Sequence, residues 1–256
     1  MSVAPYDRLG RGYGRVRRPD PRIAAQIDAA LGAARTVVNV GAGTGSYEPD
    51  GREVTAVEPS AGMIAQRPPG SAPVVQANAE DLPFDDDSFD ASMAVLTVHH
   101  WADLSAGLAE LRRVSRERIV IVTFDPEALT GLWITRDYFP EWLTLKRRSG
   151  AESGELAKLL AGATVETIPV PRDCTDQFFA ALWGRPEKLF DEEVLKPMWV
   201  WQSISEEARH SGRERLRADL EDGTWEQRYG HLRALPSLDV GLRLVSVPST
   251  HAESKD

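Results

Sequence analysis

Short β-branched runs alternate with helically spaced apolar residues along the first half of the chain. Because little of each run is polar, each predicts a buried strand of a parallel sheet. The runs are TVVNV from residue 36, EVTAVEPS (53–60), PVVQAN (73–78), ASMAVLTV (91–98) and RIVIVTFD (118–125). Between them, apolar residues recur at helical spacing, as in Ile23, Ile27 and Leu31, and predict amphipathic helices. The alternation predicts an α/β fold.

The second half of the chain contains two more alternating runs, TVETIPVP (164–171) and VGLRLVSVP (240–248), which predict the last two strands. The interval between them, 172–239, is much longer than a hairpin connection. We therefore expect an insertion with helices of its own, one of them from Ser205 to Gly223. Six of the seven tryptophans follow residue 130; they either anchor these helices or line an apolar pocket.

The length of 256 residues fits a single domain, 1–256, with residues 172–239 as the insertion. Residues 1–18 are rich in glycine and arginine and either form an N-terminal cover over an open site or fray. Thirty Lys and Arg against 39 Asp and Glu give a net charge of −9, which argues against nucleic acid as a partner.

Cysteine content and hydropathy indicate where the protein works. Cys174 is the only cysteine, so an intrachain disulfide or a cysteine-rich metal site is excluded, and a reducing compartment fits. The N-terminus has no apolar segment typical of a secretory signal, and no stretch reaches the apolar length of a membrane span. We expect a cytoplasmic protein that does not enter a membrane.

The first strand runs directly into a glycine loop, with Gly41, Gly43 and Gly45 at alternate positions. Glycine permits a positive φ and lets a ligand approach the backbone. The second strand ends in Glu58, whose carboxylate would reach the same edge of the sheet and suits a ribose diol. A dinucleotide site would need G-x-G-x-x-G, whereas here the third glycine comes one position early.

Two motifs together carry a family resemblance. The loop GAGTGS is followed downstream by Asn78-Ala79-Glu80-Asp81-Leu82-Pro83-Phe84 and then Ser88-Phe89-Asp90. The sequence resembles the class I S-adenosylmethionine-dependent methyltransferases, in particular the small-molecule enzymes of the ubiquinone/menaquinone biosynthesis and trans-aconitate type. Asn78 replaces the acid common in the family, although its side-chain carbonyl can still accept a hydrogen bond. Residues 112–118 replace the usual Pro-Gly-Gly turn.

The resemblance implies a Rossmann-like, seven-stranded, mostly parallel sheet with helices on both faces, an antiparallel last strand and a helical lid insertion. It also implies S-adenosylmethionine as cofactor and S-adenosylhomocysteine as product. The residues expected at the cofactor are Tyr13, Gly41, Ala42, Gly43, Thr44, Gly45, Glu58, Pro59, Met63, Asn78, Ala79, Glu80, Val95 and Leu96. No metal is expected.

The implied activity is methyl transfer to a small-molecule acceptor by in-line displacement, and the oligomeric state stays open. Methyl transfer needs mainly positioning and exclusion of water, with a base only if the acceptor must lose a proton. His100 is the first candidate for that base and His99 the second, because both follow the fourth strand and only one should face the site. Both can instead simply bond to backbone. The rival functions are a cofactor-binding protein without turnover and a nicotinamide-dependent oxidoreductase.

Overall fold

The computed structural model describes residues 17–147 and 153–248, apart from the side chains of residues 145–147. Most of the expected N-terminal cover, including Tyr13, lies outside the described residues. Nine strands are described: β1 Thr36–Val40, β2 Glu53–Val57, β3 Val74–Val75, β4 Phe89–Val95, β5 Ser115–Phe124, β6 Thr164–Thr167, β7 Val170–Pro171, β8 Ser237–Leu238 and β9 Leu242–Pro248.

The main sheet has seven strands in the order β3-β2-β1-β4-β5-β9-β6. Strands β1 to β5 pair in parallel, with Val40 beside Val57 and Val38 beside Ser92. Strand β9 lies antiparallel to both β5 and β6. The expected seven-stranded, mostly parallel sheet with an antiparallel last strand is confirmed.

The helices connect the strands and fill the insertion. The α-helices in the described ranges are α1 Pro21–Ala30, α2 Ala61–Ile64, α3 Leu104–Val114, α4 Pro126–Thr130, α5 Glu141–Arg147, α6 Ser153–Leu159, α7 Glu192–Leu195, α8 Trp199–Ser203, α9 Glu206–Glu221 and α10 Thr224–Tyr229. One π-helical turn covers Ile134–Tyr138. No helix in these ranges has the length and apolar character needed to cross a bilayer.

Successive residues of the central strands point into different cores, so the sheet is covered on both faces. Val37 and Met93 face a core that contains α1 and the insertion. Their neighbours Val38 and Ala94 face a second core, formed with α3 and α6. Because both faces are buried, the central strands have almost no polar positions, which explains the continuous apolar runs in the sequence.

Capping side chains fix where several of the helices start. Asp20 accepts a hydrogen bond from the Arg22 amide at α1, Ser60 one from the Met63 amide at α2, and Ser205 one from the Ala208 amide at α9. These bonds satisfy amides that have no partner within the first turn.

Asp20 also joins distant segments. Its buried carboxylate accepts a hydrogen bond from the Thr175 amide at 3.1 Å, which brings the start of the insertion against α1. Burial acts to raise the pKa of Asp20, but hydrogen bonds from Arg22 and from the Thr175 amide outweigh it and lower the pKa to about 2. Asp20 therefore stays charged at neutral pH.

Several strand predictions have the wrong bounds: the run 73–78 contains only the two-residue strand β3, and β5 begins at Ser115, before the predicted run 118–125. Strand β4 ends at Val95 rather than at residue 98, because Leu96 adopts a φ of +55° and a 3₁₀ turn follows over Val98–His100. The run 164–171 splits into β6 and β7, and β7 leaves the main sheet to pair with β8. This small second sheet joins the beginning and end of the insertion.

The insertion packs on the main domain through aromatic side chains. Trp142 contacts Phe179 edge-to-face with ring centroids 4.8 Å apart, and Phe139 meets Trp201 in the same way at 5.3 Å. The indole of Trp133 donates a hydrogen bond to the Trp183 carbonyl at 2.8 Å. Such contacts between residues far apart in sequence determine where the insertion lies.

A glycine in α9 makes this packing possible and generates a prediction. A Cβ added to Gly212 would lie 2.4 Å from a Phe139 ring carbon and 2.5 Å from the Tyr138 carbonyl oxygen. Replacing glycine by alanine inside a helix usually stabilises by about 0.5–1 kcal/mol. We expect Gly212→Ala to destabilise instead, by about 1–3 kcal/mol, because the helix must move away from the π-helical turn.

Urea unfolding monitored by circular dichroism measures this effect. The matched control is Gly154→Ala in α6, where no described residue lies within 4 Å of the added carbon; this variant should have the parent's stability or a slightly higher one. Equal stability of the Gly212→Ala variant and the parent would contradict the packing described here.

Candidate active site

A cavity of about 360 Å³ opens at the carboxyl ends of the parallel strands, where open α/β sheets bind ligands. Its wall includes His100 and every described residue expected at the cofactor except Gly45. These are Gly41, Ala42, Gly43, Thr44, Glu58, Pro59, Met63, Asn78, Ala79, Glu80, Val95 and Leu96. The structure thus brings together side chains from the ends of four strands.

Glycine is needed at the three loop positions for different physical reasons. Each has a positive φ, between +54° and +93°. A Cβ at Gly41 would lie 2.0 Å from the Thr97 hydroxyl, so a protein neighbour by itself excludes a side chain at this cavity-lining position. Among the described residues, an added Cβ at Gly43 would meet only the Met63 methyl, at 3.3 Å, so this position can accept a ligand against the backbone.

Glu58 is fixed by the backbone around it. Its carboxylate is almost fully buried and accepts hydrogen bonds from the Gly43 amide at 2.8 Å and the Ser60 amide at 2.9 Å. A carboxylate is a hydrogen-bond acceptor with about four lone-pair positions, which is the chemistry that a ligand diol requires of its partner. The predicted carboxylate therefore also orders the glycine loop.

An ion pair between Arg67 and Glu48 supports the glycine loop. Arg67 donates to both carboxylate oxygens of Glu48, at 2.8 and 2.9 Å, and to the Gly43 carbonyl at 3.3 Å. A Cβ at Gly45 would lie 3.2–3.3 Å from these two side chains, so glycine at this position leaves room for the ion pair. Gly45 does not line the cavity.

Glu80 and Trp101 form the wall beyond the third strand. Glu80 accepts hydrogen bonds from the Ala102 amide at 2.7 Å and the Asp103 amide at 3.1 Å. It thereby fixes the turn that carries Trp101, whose ring lies where a Cβ on Gly107 would come within 2.4 Å. Sequence reasoning missed Trp101, although it follows the two singled-out histidines directly.

The two histidines lie in the turn after β4, and they face different cavities. His100 lines the cavity described above, whereas His99 lines a second, smaller one of about 70 Å³. Their ring centroids are 3.9 Å apart. The two rings are separated by the 3₁₀ turn, not by the alternation of side chains along a strand.

The second cavity is mainly aromatic and lies between the sheet edge and the insertion. Its wall consists of Arg17, Leu96, His99, Phe124, Trp142, Phe178, Phe179, Met198, Trp199 and Val200. Leu96 and Arg17 line both cavities. Leu96 is held there by its positive φ, a rare conformation for a bulky residue and one that often marks a functional position.

The tryptophans fulfil both roles considered from sequence. Those at 133, 142, 183, 201 and 225 are buried in the core and anchor helices, and Trp142 also lines the second cavity together with Trp199. Trp199 also contacts the His100 ring edge-to-face at 5.6 Å. Trp201, in contrast, packs against Phe139 and lies under Arg213, so it is an anchor.

Further cavity residues were not anticipated. They are Arg17, Asn39, Ser46, Tyr47, Ser60, Thr97, Trp101 and Ala102. Tyr47 lies just past the glycine loop with a φ of +63° and donates a hydrogen bond to Asp176 at 2.9 Å. Burial, and then the charge of Asp176, raise the pKa of Tyr47 far above its usual value, so it remains a protonated donor.

Comparisons with known proteins agree with this geometry. Residues 38–122 match the profile of a methyltransferase domain. A demethylmenaquinone methyltransferase from Mycolicibacterium gilvum (strain PYR-GCK) is 32% identical over 180 residues, which make up 69% of this chain and 78% of the relative.

Solved structures give the same result. A protein from Anabaena variabilis ATCC 29413, described as a methyltransferase from an antibiotic biosynthesis pathway, has a TM-score of 0.81 at 29% identity, over 91% of this chain and 98% of its own. Phosphoethanolamine N-methyltransferase 2 from Haemonchus contortus, solved with S-adenosylmethionine, has a TM-score of 0.60 over 97% of this chain and 60% of its own. At 13% identity, this second likeness shows the fold alone.

These findings confirm the resemblance drawn from the two motifs and disfavour the nicotinamide-dependent alternative. The exposed backbone at Gly43 and the fixed carboxylate of Glu58 fit S-adenosylmethionine, the cofactor of these methyltransferases. The chain belongs to the class I S-adenosylmethionine-dependent methyltransferases and resembles those of the menaquinone and ubiquinone type.

Proposed function

We propose that the protein transfers a methyl group to an apolar small-molecule acceptor by in-line SN2 displacement, with the cofactor in the larger cavity and the acceptor in the smaller. The observation that carries this proposal is that the two cavities share Leu96 and Arg17 as wall residues. A donor and an acceptor in adjoining cavities can meet end to end, as an in-line displacement requires.

The chain's contribution would be binding and orientation. S-adenosylmethionine supplies a methyl group already activated on a sulfonium. Holding two reactants in line and excluding water can lower a barrier by about 7–11 kcal/mol. Glu58 would accept hydrogen bonds from the ribose hydroxyls, and the side-chain amide of Asn78 would contact the adenine. The backbone at Gly43 would let the cofactor approach closely.

The acceptor's chemistry is suggested by the second cavity. Its wall is largely aromatic and contains no carboxylate among the described lining residues, which suits an uncharged apolar molecule. Phe178, Phe179, Met198, Trp199 and Val200 come from the insertion, which supports its role as a lid over the acceptor. Relatives are named for demethylmenaquinone, an example of an apolar acceptor, and the net charge of −9 disfavours nucleic acid.

We propose His99, ahead of His100, as the base for an acceptor that must lose a proton. The imidazole of His99 lines the proposed acceptor cavity, whereas that of His100 lines the cofactor cavity. A base must come within hydrogen-bond reach of the proton it removes. This reverses the order of preference that the sequence suggested.

Glu58→Gln should raise the Kd for both S-adenosylmethionine and S-adenosylhomocysteine about tenfold or more, because a hydrogen bond to a charged group contributes about 1.5–3 kcal/mol. Titration calorimetry measures both constants. Glu53→Gln, at the exposed other end of the same strand, is the control and should bind like the parent. Unchanged affinity in the Glu58 variant, or preferential binding of NAD, would contradict the cofactor assignment.

His99→Gln should lower the single-turnover rate with saturating cofactor at least tenfold, with cofactor affinity unchanged, if the acceptor loses a proton to His99. In the parent that rate should fall as pH drops through the range where histidines ordinarily titrate, around 6.5, because only neutral imidazole accepts a proton. His100→Gln should keep the pH dependence. A His99 variant with the parent's pH profile would rule out this role.

Trp199→Ala should weaken acceptor binding or turnover while the Kd for S-adenosylhomocysteine stays within about threefold, a difference under ~1 kcal/mol. An acceptor panel of apolar phenols, hydroquinones and amines, with demethylmenaquinone included, is assayed by formation of S-adenosylhomocysteine. Trp201→Ala is an unsuitable probe of acceptor binding, since it opens a core cavity and should cost about 3–5 kcal/mol of stability. Tight cofactor binding without turnover across the panel would contradict the proposed activity.

A further inference from the structure

The larger cavity spans the carboxyl ends of four neighbouring strands, and this fixes the order in which a long ligand can lie in it. Leu96, which the larger cavity shares with the smaller one, follows β4, whereas Glu58 follows β2 and Asn78 follows β3. The strand order is β3-β2-β1-β4. Because neighbouring strands lie about 4.8 Å apart, β2 is roughly 10 Å and β3 roughly 14 Å from β4.

The cofactor has three parts in a fixed order, the methionyl sulfonium, the ribose and the adenine. The methyl group must face the acceptor, so the sulfonium belongs at the β4 end, beside Leu96. The ribose diol then reaches Glu58, whose carboxylate is held at the end of β2 by the Gly43 and Ser60 amides. The nucleobase is left with the β3 end of the cavity, where Asn78 lies in the wall.

The side chain of Asn78 is exposed and ready to bond to a ligand. The backbone carbonyl of Asn78 accepts a hydrogen bond from the Asp81 amide at 3.4 Å. Its side-chain amide bonds to no other residue in the part of the chain that the structure describes. Both the amide oxygen and the NH₂ group are therefore available, and no described residue fixes which of the two points into the cavity.

An asparagine amide places an acceptor oxygen beside a donor NH₂ group, which is why asparagine pairs bidentately with adenine in nucleic-acid recognition. Adenine offers a 6-amino donor beside the N1 acceptor. A 6-oxopurine offers the reverse, a 6-oxo acceptor beside an N1–H donor. A half-turn of the terminal amide, which is a soft torsion, matches either pattern. An ionised carboxylate only accepts hydrogen bonds, so it would favour the 6-amino form and repel the 6-oxo oxygen.

Glu80 is a second polar side chain at the same end of the cavity. One of its oxygens, Oε1, accepts hydrogen bonds from the Ala102 amide at 2.7 Å and from the Asp103 amide at 3.1 Å. These bonds hold the Glu80 carboxylate in one orientation, whereas the Asn78 amide can turn. Glu80 is the rival reader of the base, and as a carboxylate it would favour adenine.

We propose that the Asn78 amide lets the nucleobase end of the cavity accept a 6-oxopurine as well as adenine. The protein then binds S-inosylhomocysteine, in which oxygen replaces the 6-amino group of S-adenosylhomocysteine. The inference deepens the proposed function and rests on it for placing the cofactor in the larger cavity. Asn78 is thus a residue that determines base specificity.

The test is the ratio of two dissociation constants, that for S-inosylhomocysteine divided by that for S-adenosylhomocysteine, measured by titration calorimetry at pH 7. In the parent this ratio should be below about ten. Asn78→Asp should raise the ratio about fivefold or more, because the carboxylate gains a charged hydrogen bond to the 6-amino group and repels the 6-oxo oxygen. Any backbone amide that also meets the base is the same in both proteins and cancels in this comparison.

Three control variants separate base recognition from other effects. Asn78→Ala removes the donor and the acceptor together and should weaken both ligands alike, with a ratio within about threefold of the parent's. Gln227→Glu makes the same change from amide to carboxylate at an exposed position of α10, away from both cavities, and should leave the ratio unchanged. If Glu80→Gln lowers the ratio while Asn78→Asp leaves it unchanged, Glu80 reads the base and the inference is wrong.

The outcomes are distinct from those that test the proposed function. A parent that binds S-adenosylhomocysteine but binds S-inosylhomocysteine more than about tenfold more weakly contradicts this inference and leaves the proposed function intact. A change of less than about fivefold in the Asn78→Asp ratio has the same meaning. If the parent binds neither ligand, the cofactor assignment fails, and the proposed function and the inference fail together.

Discussion

The contact between Glu58 and the glycine loop is the constraint on which the site depends. Parallel pairing of β1 with β2 places Val40 beside Val57, so the residues that follow both strands emerge together. The carboxylate then accepts amide bonds from Gly43 and Ser60, which fixes the loop after one strand to the turn after the next. A buried carboxylate needs such donors to offset its desolvation, and the loop needs an acceptor for its amides.

Much of this could be predicted from the sequence because it depends on local pattern. Apolar runs predicted the central strands, and the helical spacing of Ile23, Ile27 and Leu31 predicted α1. The glycines and Glu58 could be placed together because parallel strands carry their ends to one edge of the sheet.

Other features could not be predicted because they arise from packing between distant segments. Nothing local indicates that Leu96 would adopt a positive φ. Strand β4 ends before this residue, and the two histidines that follow line separate cavities. Arg17 meets Asp176 across 159 positions of sequence. Gly41 lines the cavity, but the side chain that leaves no room for a Cβ there belongs to Thr97, which the sequence did not indicate. In each case the deciding neighbour is remote in the chain.

The small sheet of β7 and β8 has a consequence for how such a chain can change. Val170 pairs with Leu238, and the Ile168 amide donates a hydrogen bond to the Leu242 carbonyl. The pairing of β6 with β9 therefore continues into that of β7 with β8, which holds the two ends of the insertion side by side. Closing a longer loop adds little entropy cost once its ends are held together. An insertion attached at one place can therefore lengthen, shorten or be exchanged during evolution while the register of the main sheet stays the same.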